Sequence, residues 1–274
     1  MVVTQSASDR WASALAEWAI PERIELLAPE PPWVLPPEFF RVDGPKLADD
    51  RPSLRMARSA LGLGGTVLDI GCGGGAGSVP LGPPAVRITG VDGTAAMLSN
   101  FAQACAEAGV IHQEVEGRWP DVAGEVSVAD LVVCHHVVYN VAEIDPFLIA
   151  LTDHALRLVV VELTEDHPTS PFNFLWERFW GLARPSEPTA RLFSEVVREL
   201  GYHPIEESCA SPRRAPGMSR SEYVAFARRR LCLTSDRDHE IESALGENWP
   251  LDAQKVMTVA WVPPGQAAGD RSTS

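Results

Sequence analysis

The chain has 274 residues, a formal net charge of −14 at pH 7 and an apolar fraction of 45%. This length and composition allow a sizeable buried core and argue against wholesale disorder. The negative charge repels phosphate backbones, so nucleic acid is not expected as a partner. No uninterrupted apolar run approaches the roughly 20 residues of a membrane helix, so no membrane partner is expected.

The cysteines indicate a reducing compartment. All five are widely spaced and none forms a CxxC pair, so neither a zinc knuckle nor a dithiol motif is predicted. Asp9, Arg10 and Glu17 interrupt any apolar stretch near the N-terminus, which argues against a signal peptide. We therefore expect a cytoplasmic protein with reduced thiols.

The first elements predict an N-terminal helical and aromatic cap over residues 1–60. Trp11 and Trp18 share one helix face with a leucine between them. The stretch "PEPPWVLPPEFF" that follows is broken by prolines and cannot be a regular helix throughout. Its aromatic residues are Trp33, Phe39 and Phe40.

From residue 66 onward, strands alternate with helices. The predicted strands are "TVLDI", "AVRITGVD", "VIHQEV", "ADLVVCHH", "RLVVVEL", "YHPIEES" and "KVMTVAWV". Alternation of this kind is typical of an α/β fold with a doubly wound, mostly parallel sheet, here of seven strands. The expected main domain spans 61–262, with an insertion at about 212–250 between the last two strands and a disordered tail at 263–274.

A glycine-rich loop follows the first strand, in "VLDIGCGGG" at residues 67–75. Gly71, Gly73 and Ala76 satisfy the GxGxxG/A pattern of dinucleotide-binding folds. Asp92 lies about 20 residues further on, where an acid can accept the ribose hydroxyls. On spacing alone, the pattern fits an NAD(P)-dependent oxidoreductase as well as other nucleoside cofactors.

Asp69 argues against a pyrophosphate at this loop. Its carboxylate lies two residues before Gly71, and like charges about 5 Å apart cost roughly 3 kcal/mol at an effective dielectric near 20. A ligand with a cationic end removes the repulsion. S-adenosylmethionine combines a sulfonium and an ammonium with adenosine, and therefore suits the pattern better than NAD.

The two motifs resemble those of a known family. "VLDIGCGGG" followed by "TGVDGTAAML" is similar to the first two motifs of the class I S-adenosylmethionine-dependent methyltransferases. "ADLVVCHHVVYNV" resembles the fourth-strand motif of this family, and "RLVVVEL" its fifth strand. The resemblance covers about residues 60–165 and implies a Rossmann-like methyltransferase fold with S-adenosylmethionine as cofactor.

The resemblance also implies the cofactor-binding residues. The glycines of the loop would lie against the methionine part, Asp69 would order the turn, and Asp92 would accept both ribose hydroxyls. The full predicted set is Asp69, Gly71, Cys72, Gly73, Gly75, Asp92, Gly93, Met97, Arg118, Trp119, Cys134 and His135.

The chain departs from the family after the third strand. Family members often place an acid there to accept from the adenine amino group, whereas this chain has Arg118, which offers no acceptor. Three alternatives remain for the adenine: a backbone carbonyl, Asp121 reaching back, or Trp119 stacking on the ring.

Methyl transfer needs alignment and a dry pocket, and one general base helps when the acceptor is a hydroxyl or an activated carbon. The candidates for this base are His135, His136, Tyr139 and His167. Adjacent residues of an extended segment point to different faces, so at most one of the two adjacent histidines should face the methyl group. The histidines could equally be structural, and no metal is expected.

Aromatic residues of the cap and of the segment after the fifth strand indicate a substrate wall. The predicted substrate-binding residues are Trp33, Phe39, Phe40, Tyr139, His167 and Trp176. The sequence therefore predicts a methyltransferase for an apolar or aromatic small molecule. The alternatives are an NAD(P)-dependent oxidoreductase and a non-catalytic S-adenosylmethionine-binding module. The oligomeric state is not indicated.

Overall fold

The computed structural model describes residues 5–33, 50–210, 219–247 and 255–265. Seven strands form one sheet in the order β3-β2-β1-β4-β5-β7-β6. Their bounds are β1 Gly65–Ile70, β2 Ala85–Asp92, β3 His112–Glu116, β4 Ala129–His135, β5 Ala155–Thr164, β6 Ile205–Ala210 and β7 Lys255–Trp261. Strands β1 to β5 are parallel, and β7 runs antiparallel between β5 and β6. The predicted seven-stranded, mostly parallel sheet is confirmed.

The described helices pack on both faces of the sheet and in a third, separate core. They are α1 Ala7–Glu17, α2 Glu22–Glu25, α3 Pro52–Leu61, α4 Ala95–Glu107, α5 Ile144–Asp153, α6 Asn173–Trp180, α7 Ala190–Glu199, α8 Arg220–Arg230 and α9 Asp238–Leu245. In the ranges given above, no helix is both long and apolar enough to cross a lipid bilayer.

Alternation along β1 sends its side chains into two separate cores. Leu68 and Ile70 join a first core with α1, α5 and α7, whereas Val67 joins a second core with α3 and α4. Because both faces of the sheet are covered, its central strands are apolar throughout. Asp69 and Glu162 are the buried carboxylates within these strands.

The structure places part of the predicted cap inside the first core. Trp11 of α1 is fully buried, donates its indole N–H to the carbonyl of Val141 at 2.8 Å and stacks on Tyr139. Helix α3 covers the opposite face of the sheet. Ile20, Ile24 and Ala28 instead join a third core, formed with α6, α8 and α9. Phe39 and Phe40 lie outside the described residues, and so does the predicted tail beyond Gly265.

The glycine loop leads into a short turn of 3-10 helix at Val79–Leu81. No α-helix connects β1 with β2, which are both fully described. Pro80, Pro83 and Pro84 explain this, since proline removes a backbone donor and disfavours the helical conformation of the residue before it. The loop therefore has no helix N-terminus behind it.

Candidate cofactor and acceptor site

The glycine loop has a backbone conformation that only glycine adopts readily. Gly71, Gly73 and Gly75 have φ angles of 69°, 50° and 86°. A Cβ atom on Gly71 would lie 2.3 Å from Cγ2 of Val137, just beyond β4. The loop is therefore packed directly against the chain that leaves β4, and this contact alone requires glycine at position 71.

Asp92 ties the end of β2 to this loop. Its Oδ2 accepts the backbone N–H of Gly73, and its Oδ1 accepts the backbone N–H of Thr94, both at 3.0 Å. Each carboxylate oxygen has a second lone pair, so the same group can also accept two hydroxyls. The geometry fits a vicinal diol lying over the loop.

Asp69 lies beneath the loop. It is 1% exposed, and its Oδ2 accepts the hydroxyl of Ser78 at 2.5 Å. The pKa of Asp69 is raised to about 7, mainly by burial and to a smaller extent by the negative charge of Asp92, against the opposing effect of the Ser78 hydrogen bond. The half-buried Asp92, rather than Asp69, is therefore the carboxylate that a cationic ligand would meet.

The structure changes the argument against a dinucleotide. Asp69 is covered by the loop, so its charge does not meet a ligand directly. The absence of a helix after the loop is the stronger argument against a dinucleotide, because a pyrophosphate in Rossmann folds is held by the N-terminus of that helix. This chain has a 3-10 turn there.

The other predicted cofactor residues fall into two groups. Cys72, Gly93 and Met97 belong to the loop or to the start of α4, beside Asp92. Trp119 donates its indole N–H to the carbonyl of Phe147 at 3.4 Å and packs against the first core. Arg118 is exposed, and its Cγ lies 3.8 Å from the Cβ position of Gly93. Trp119 is thus engaged with α5, which disfavours stacking on adenine.

The end of β4 brings two predicted residues to the glycine loop. Cys134 is fully buried, and burial raises the pKa of its thiol well above the usual range. It therefore stays protonated and is not a nucleophile. The ring of His135 lies against Gly77, where an added Cβ would be 2.9 Å from Nδ1.

His136 is held by a residue that the sequence analysis missed. Its Nε2 lies 3.2 Å from Oε1 of Glu162, a fully buried carboxylate on β5. Glu162 also accepts from Arg51 Nη1 at 2.9 Å and from the Ser53 hydroxyl. Despite burial, His135, His136 and Arg51 hold the pKa of Glu162 far below its usual range. The sequence signal was the single carboxylate within the apolar strand "RLVVVEL".

Tyr139 and His167 contact each other, but neither is suited to be a base. The Tyr139 hydroxyl donates to the carbonyl of Thr164 at 2.8 Å, and burial raises its pKa above the usual range. His167 stacks on Trp18 with 3.8 Å between the ring centroids. Burial, together with the charges of Arg184 and Arg230, lowers the pKa of His167 to about 3. Such an imidazole stays neutral and is a weak proton acceptor.

A narrow cleft lies beside His167, at the side of the third core. We call it the arginine cleft, and its lining residues are Trp33, Thr169, Phe172, Trp176, Arg184 and Arg230. Two predicted wall residues, Trp33 and Trp176, are thereby brought together. The arginines carry no periodicity or motif, so nothing in the sequence singled them out. Within the four described ranges, no cluster of histidine, cysteine and carboxylate side chains is arranged to bind a metal.

Comparison with known proteins agrees with this architecture. Residues 68–153 match a family model described as a methyltransferase domain. No curated protein matches the chain. Among solved structures, the YcgJ protein of Bacillus subtilis superposes with a TM-score of 0.52 at 14% identity, over 77% of this chain and 97% of that one. This likeness concerns the fold.

Two further solved structures match over a similar share of this chain. A putative methyltransferase of Bacillus halodurans matches with a TM-score of 0.49 at 14% identity, covering 81% of this chain and 100% of its own. A methyltransferase of Thiobacillus denitrificans, solved with S-adenosylhomocysteine, matches with a TM-score of 0.49 at 15% identity, covering 89% and 98%.

Residues 68–153 therefore resemble a methyltransferase domain, and the shared fold agrees with the one expected from the glycine loop and Asp92.

Proposed function

We propose that this chain is an S-adenosylmethionine-dependent methyltransferase that acts on an apolar or aromatic small molecule. The observation that carries the proposal is that Asp92 accepts two backbone hydrogen bonds. One comes from Gly73 of the glycine loop and the other from Thr94 at the start of α4. This arrangement presents a vicinal-diol acceptor beside a turn that lacks side chains. It suits a nucleoside without a pyrophosphate.

The chain's own residues would align the cofactor. Asp92 accepts the ribose hydroxyls, and the glycine loop lies along the methionine part. Asp92, which is only half-buried, supplies the negative charge that favours a cation. When bound, S-adenosylmethionine supplies a methyl group activated by a positively charged sulfur, and its transfer leaves S-adenosylhomocysteine. The protein then contributes orientation and exclusion of water.

His136 is our candidate for the general base. With Nε2–H donated to Glu162, a neutral imidazole carries its lone pair on Nδ1. The His136 side chain is 33% exposed and directly follows β4, at the carboxyl edge of the sheet. Nδ1 would accept the proton that the acceptor loses as its new bond to the methyl carbon forms. Glu162 acts through His136 as a positioning residue.

The proposed class of methyl acceptor is based on the net charge of the chain and on the residues that line the arginine cleft. The net charge of −14 disfavours nucleic acid as the acceptor. Trp33, Phe172 and Trp176 offer flat apolar walls near the end of β5. Ligands of open α/β sheets bind outside the carboxyl ends of the strands, and the segment that follows β5 contributes Phe172 and Trp176 to the cleft.

Thermal unfolding with ligands tests the cofactor assignment. S-adenosylmethionine and S-adenosylhomocysteine should both raise Tm, whereas NAD should not, because only a ligand of the folded state stabilises it. A shift with NAD alone would overturn the proposal. Production of S-adenosylhomocysteine on a panel of phenols, amines and aromatic acids tests catalysis. Binding without turnover on any acceptor would favour a non-catalytic cofactor-binding module.

A further inference from the structure

Exposed aliphatic side chains are concentrated at the strand ends of one edge of the sheet. In the part of the chain that the structure describes, twelve large hydrophobic residues are exposed, and seven of them lie within two residues of a strand end. Each of the seven belongs to a different strand. They are Leu63 at β1, Val86 at β2, Ile111 at β3, Val128 at β4, Leu156 at β5, Ile205 at β6 and Val262 at β7.

All seven strand ends belong to the same edge. The parallel strands β1 to β5 begin there, β6 begins there too, and the antiparallel β7 ends there. This amino edge lies opposite the carboxyl edge, which carries the glycine loop and His136. Single exposed aliphatic residues are common on protein surfaces, whereas a group gathered on one side indicates an interaction surface. We call the seven residues the amino-edge patch.

Contacts between neighbouring strands show that the patch is continuous at β3, β2 and β1. The carbonyl of Ile111 accepts the backbone N–H of Ile88, two residues after Val86, at 2.9 Å. Cγ1 of Val86 lies 3.7 Å from the Cβ position of Gly64, the residue after Leu63. The exposed side chains of these three strands therefore follow one another along the edge without an intervening element.

The charged groups at the centre of this edge are paired with each other. Arg157 of β5 lies 2.8 Å from Asp130 of β4, measured between Nη2 and Oδ1. Its Nη1 also donates to the carbonyls of Leu61 and Gly64. The net charge of −14 opposes association of two copies in general. At the amino edge this ion pair lies between the aliphatic side chains and adds no net charge.

The extent of the patch matches that of a stable dimer interface. Seven strands about 4.8 Å apart give a row about 29 Å long. The exposed fractions of its residues together amount to about four complete side chains. A standard interface buries roughly 800 Å² on each partner, which is a surface about 30 Å across. Ile205 pairs with Ala260 and lies further up the sheet, so it borders the patch.

The order of the residues across the sheet suits a second copy of the same chain. From β3 to β6 the row consists of Ile, Val, Leu, Val, Leu, Val and Ile. The same residue types therefore occur in the same order from either end. A two-fold dimer brings one surface of a chain onto the identical surface of its partner. An axis near Val128 would place side chains of equal type opposite each other.

The segment that follows β7 does not provide enough apolar surface to cover the patch. Residues 266–274 come shortly after Val262, but their only apolar side chains are those of two alanines. Seven larger aliphatic residues need a partner surface of similar size and character. A second amino-edge patch provides one.

We propose that the amino edge is a homodimer interface, in which the patch of one chain packs against the same patch of a second copy. The carboxyl edges of the two chains then face away from each other, and both glycine loops stay accessible. This inference goes beyond the proposed methyltransferase function and does not depend on it.

Sedimentation velocity of the full chain at several micromolar concentrations tests the inference. The wild type should be a dimer. Leu63→Asp and Val128→Asp should each raise the dimer Kd at least tenfold, because each buries a charge in the interface. Both residues are exposed in the single chain, so circular dichroism should show an unchanged fold. Leu26→Asp is the matched control, because it adds the same charge at an exposed leucine outside the patch, and its Kd should stay within twofold.

Every other result would overturn the inference. A wild type that stays monomeric would do so, even if its amino edge binds phospholipid vesicles. A chain truncated after Gly265 that dimerises where the wild type does not would assign the patch to residues 266–274. A dimer that persists in folded Leu63→Asp and Val128→Asp, or that Leu26→Asp dissociates equally, would place the interface elsewhere. Binding of S-adenosylhomocysteine is measured separately, and its failure would concern only the proposed function.

Discussion

Glu162 and His136 are joined twice. The backbone N–H of His136 donates to the carbonyl of Glu162 at 2.7 Å, and the Nε2 of the same histidine lies 3.2 Å from the Glu162 carboxylate. His136 has a φ of 60°, which is uncommon for a residue with a side chain. This strained conformation turns the imidazole back onto β5. Backbone strain of this kind often accompanies functional sites.

The first prediction concerns the tautomer of His136. In neutral imidazole, Nε2 should carry the proton and Nδ1 the lone pair, because Glu162 accepts from Nε2. Long-range nitrogen–proton NMR spectra distinguish the two tautomers directly. In Glu162→Gln, the preference for Nε2–H should weaken, since an amide can donate as well as accept. The exposed His239 serves as an internal control and should be unchanged.

The same pair predicts a catalytic effect. With any acceptor that turns over, His136→Gln should lower kcat by about two to four orders of magnitude, which is typical of losing a general base. The affinity for S-adenosylhomocysteine should stay near that of the wild type. An unchanged kcat and pH profile would show that His136 has only a structural role.

The second prediction concerns the packing of the glycine loop. Gly71→Ala should lower the free energy of unfolding by about 2–5 kcal/mol, from a left-handed backbone and an overpacked contact with Val137. Urea denaturation measures this. Gly124→Ala is the control, since no atom lies within 4 Å of its Cβ position. Adding Val137→Ala should recover part of the loss, because it removes the clash but not the backbone strain.

The third prediction is a pH dependence of stability that arises from Asp69. Its pKa is raised to about 7 in the folded protein, mainly by burial, from an ordinary value of 3.8, so the folded state binds this proton more tightly than the unfolded state. The stabilisation is present below about pH 4 and is lost as pH rises through 7. Asp69→Asn keeps an acceptor for Ser78 but does not titrate.

The comparison is made in the absence of ligand. Relative to wild type, Asp69→Asn should gain on the order of 2–3 kcal/mol of stability between pH 5 and pH 8. Urea denaturation at both pH values measures the difference. If the difference in free energy of unfolding between wild type and Asp69→Asn does not change with pH, Asp69 is already ionised in the folded protein at pH 5.

Much of the sheet could be predicted because its signals are local. Apolar runs and turn residues identified each strand, and the spacing between Gly71 and Asp92 identified the cofactor edge. The capping box of Ser219 and Glu222, typical of a helix start, is present at α8. Local patterns of this kind depend only on neighbouring residues, so a single sequence reveals them.

The remaining features depend on contacts between distant residues. Trp11 has the helical spacing of a cap residue, yet tertiary packing against Tyr139 and Phe193 places it in the first core. Deleting residues 1–40 would therefore remove part of that core together with any substrate wall. Arg51 and Glu162 are 111 positions apart and meet only in the folded chain. Arg184 likewise has no local signal.

The most direct test of the cofactor site concerns Asp92, which we expect to hold the ribose of S-adenosylmethionine. Calorimetric titration of S-adenosylhomocysteine into wild type, Asp92→Asn and Asp92→Ala tests it most directly, with circular dichroism to verify folding. Asp92→Asn leaves one acceptor oxygen where two are needed. A lost charge-assisted hydrogen bond costs roughly 1.5–3 kcal/mol, or about ten- to a hundred-fold in affinity.

Asp92→Ala should lose at least as much affinity as Asp92→Asn. The control is Glu107→Gln, which changes the net charge equally at the far end of α4 and should bind like wild type. We expect folded Asp92 variants with affinity reduced at least tenfold. Affinities within twofold of wild type in both folded variants would contradict the assignment of Asp92 and of the cofactor site built around it.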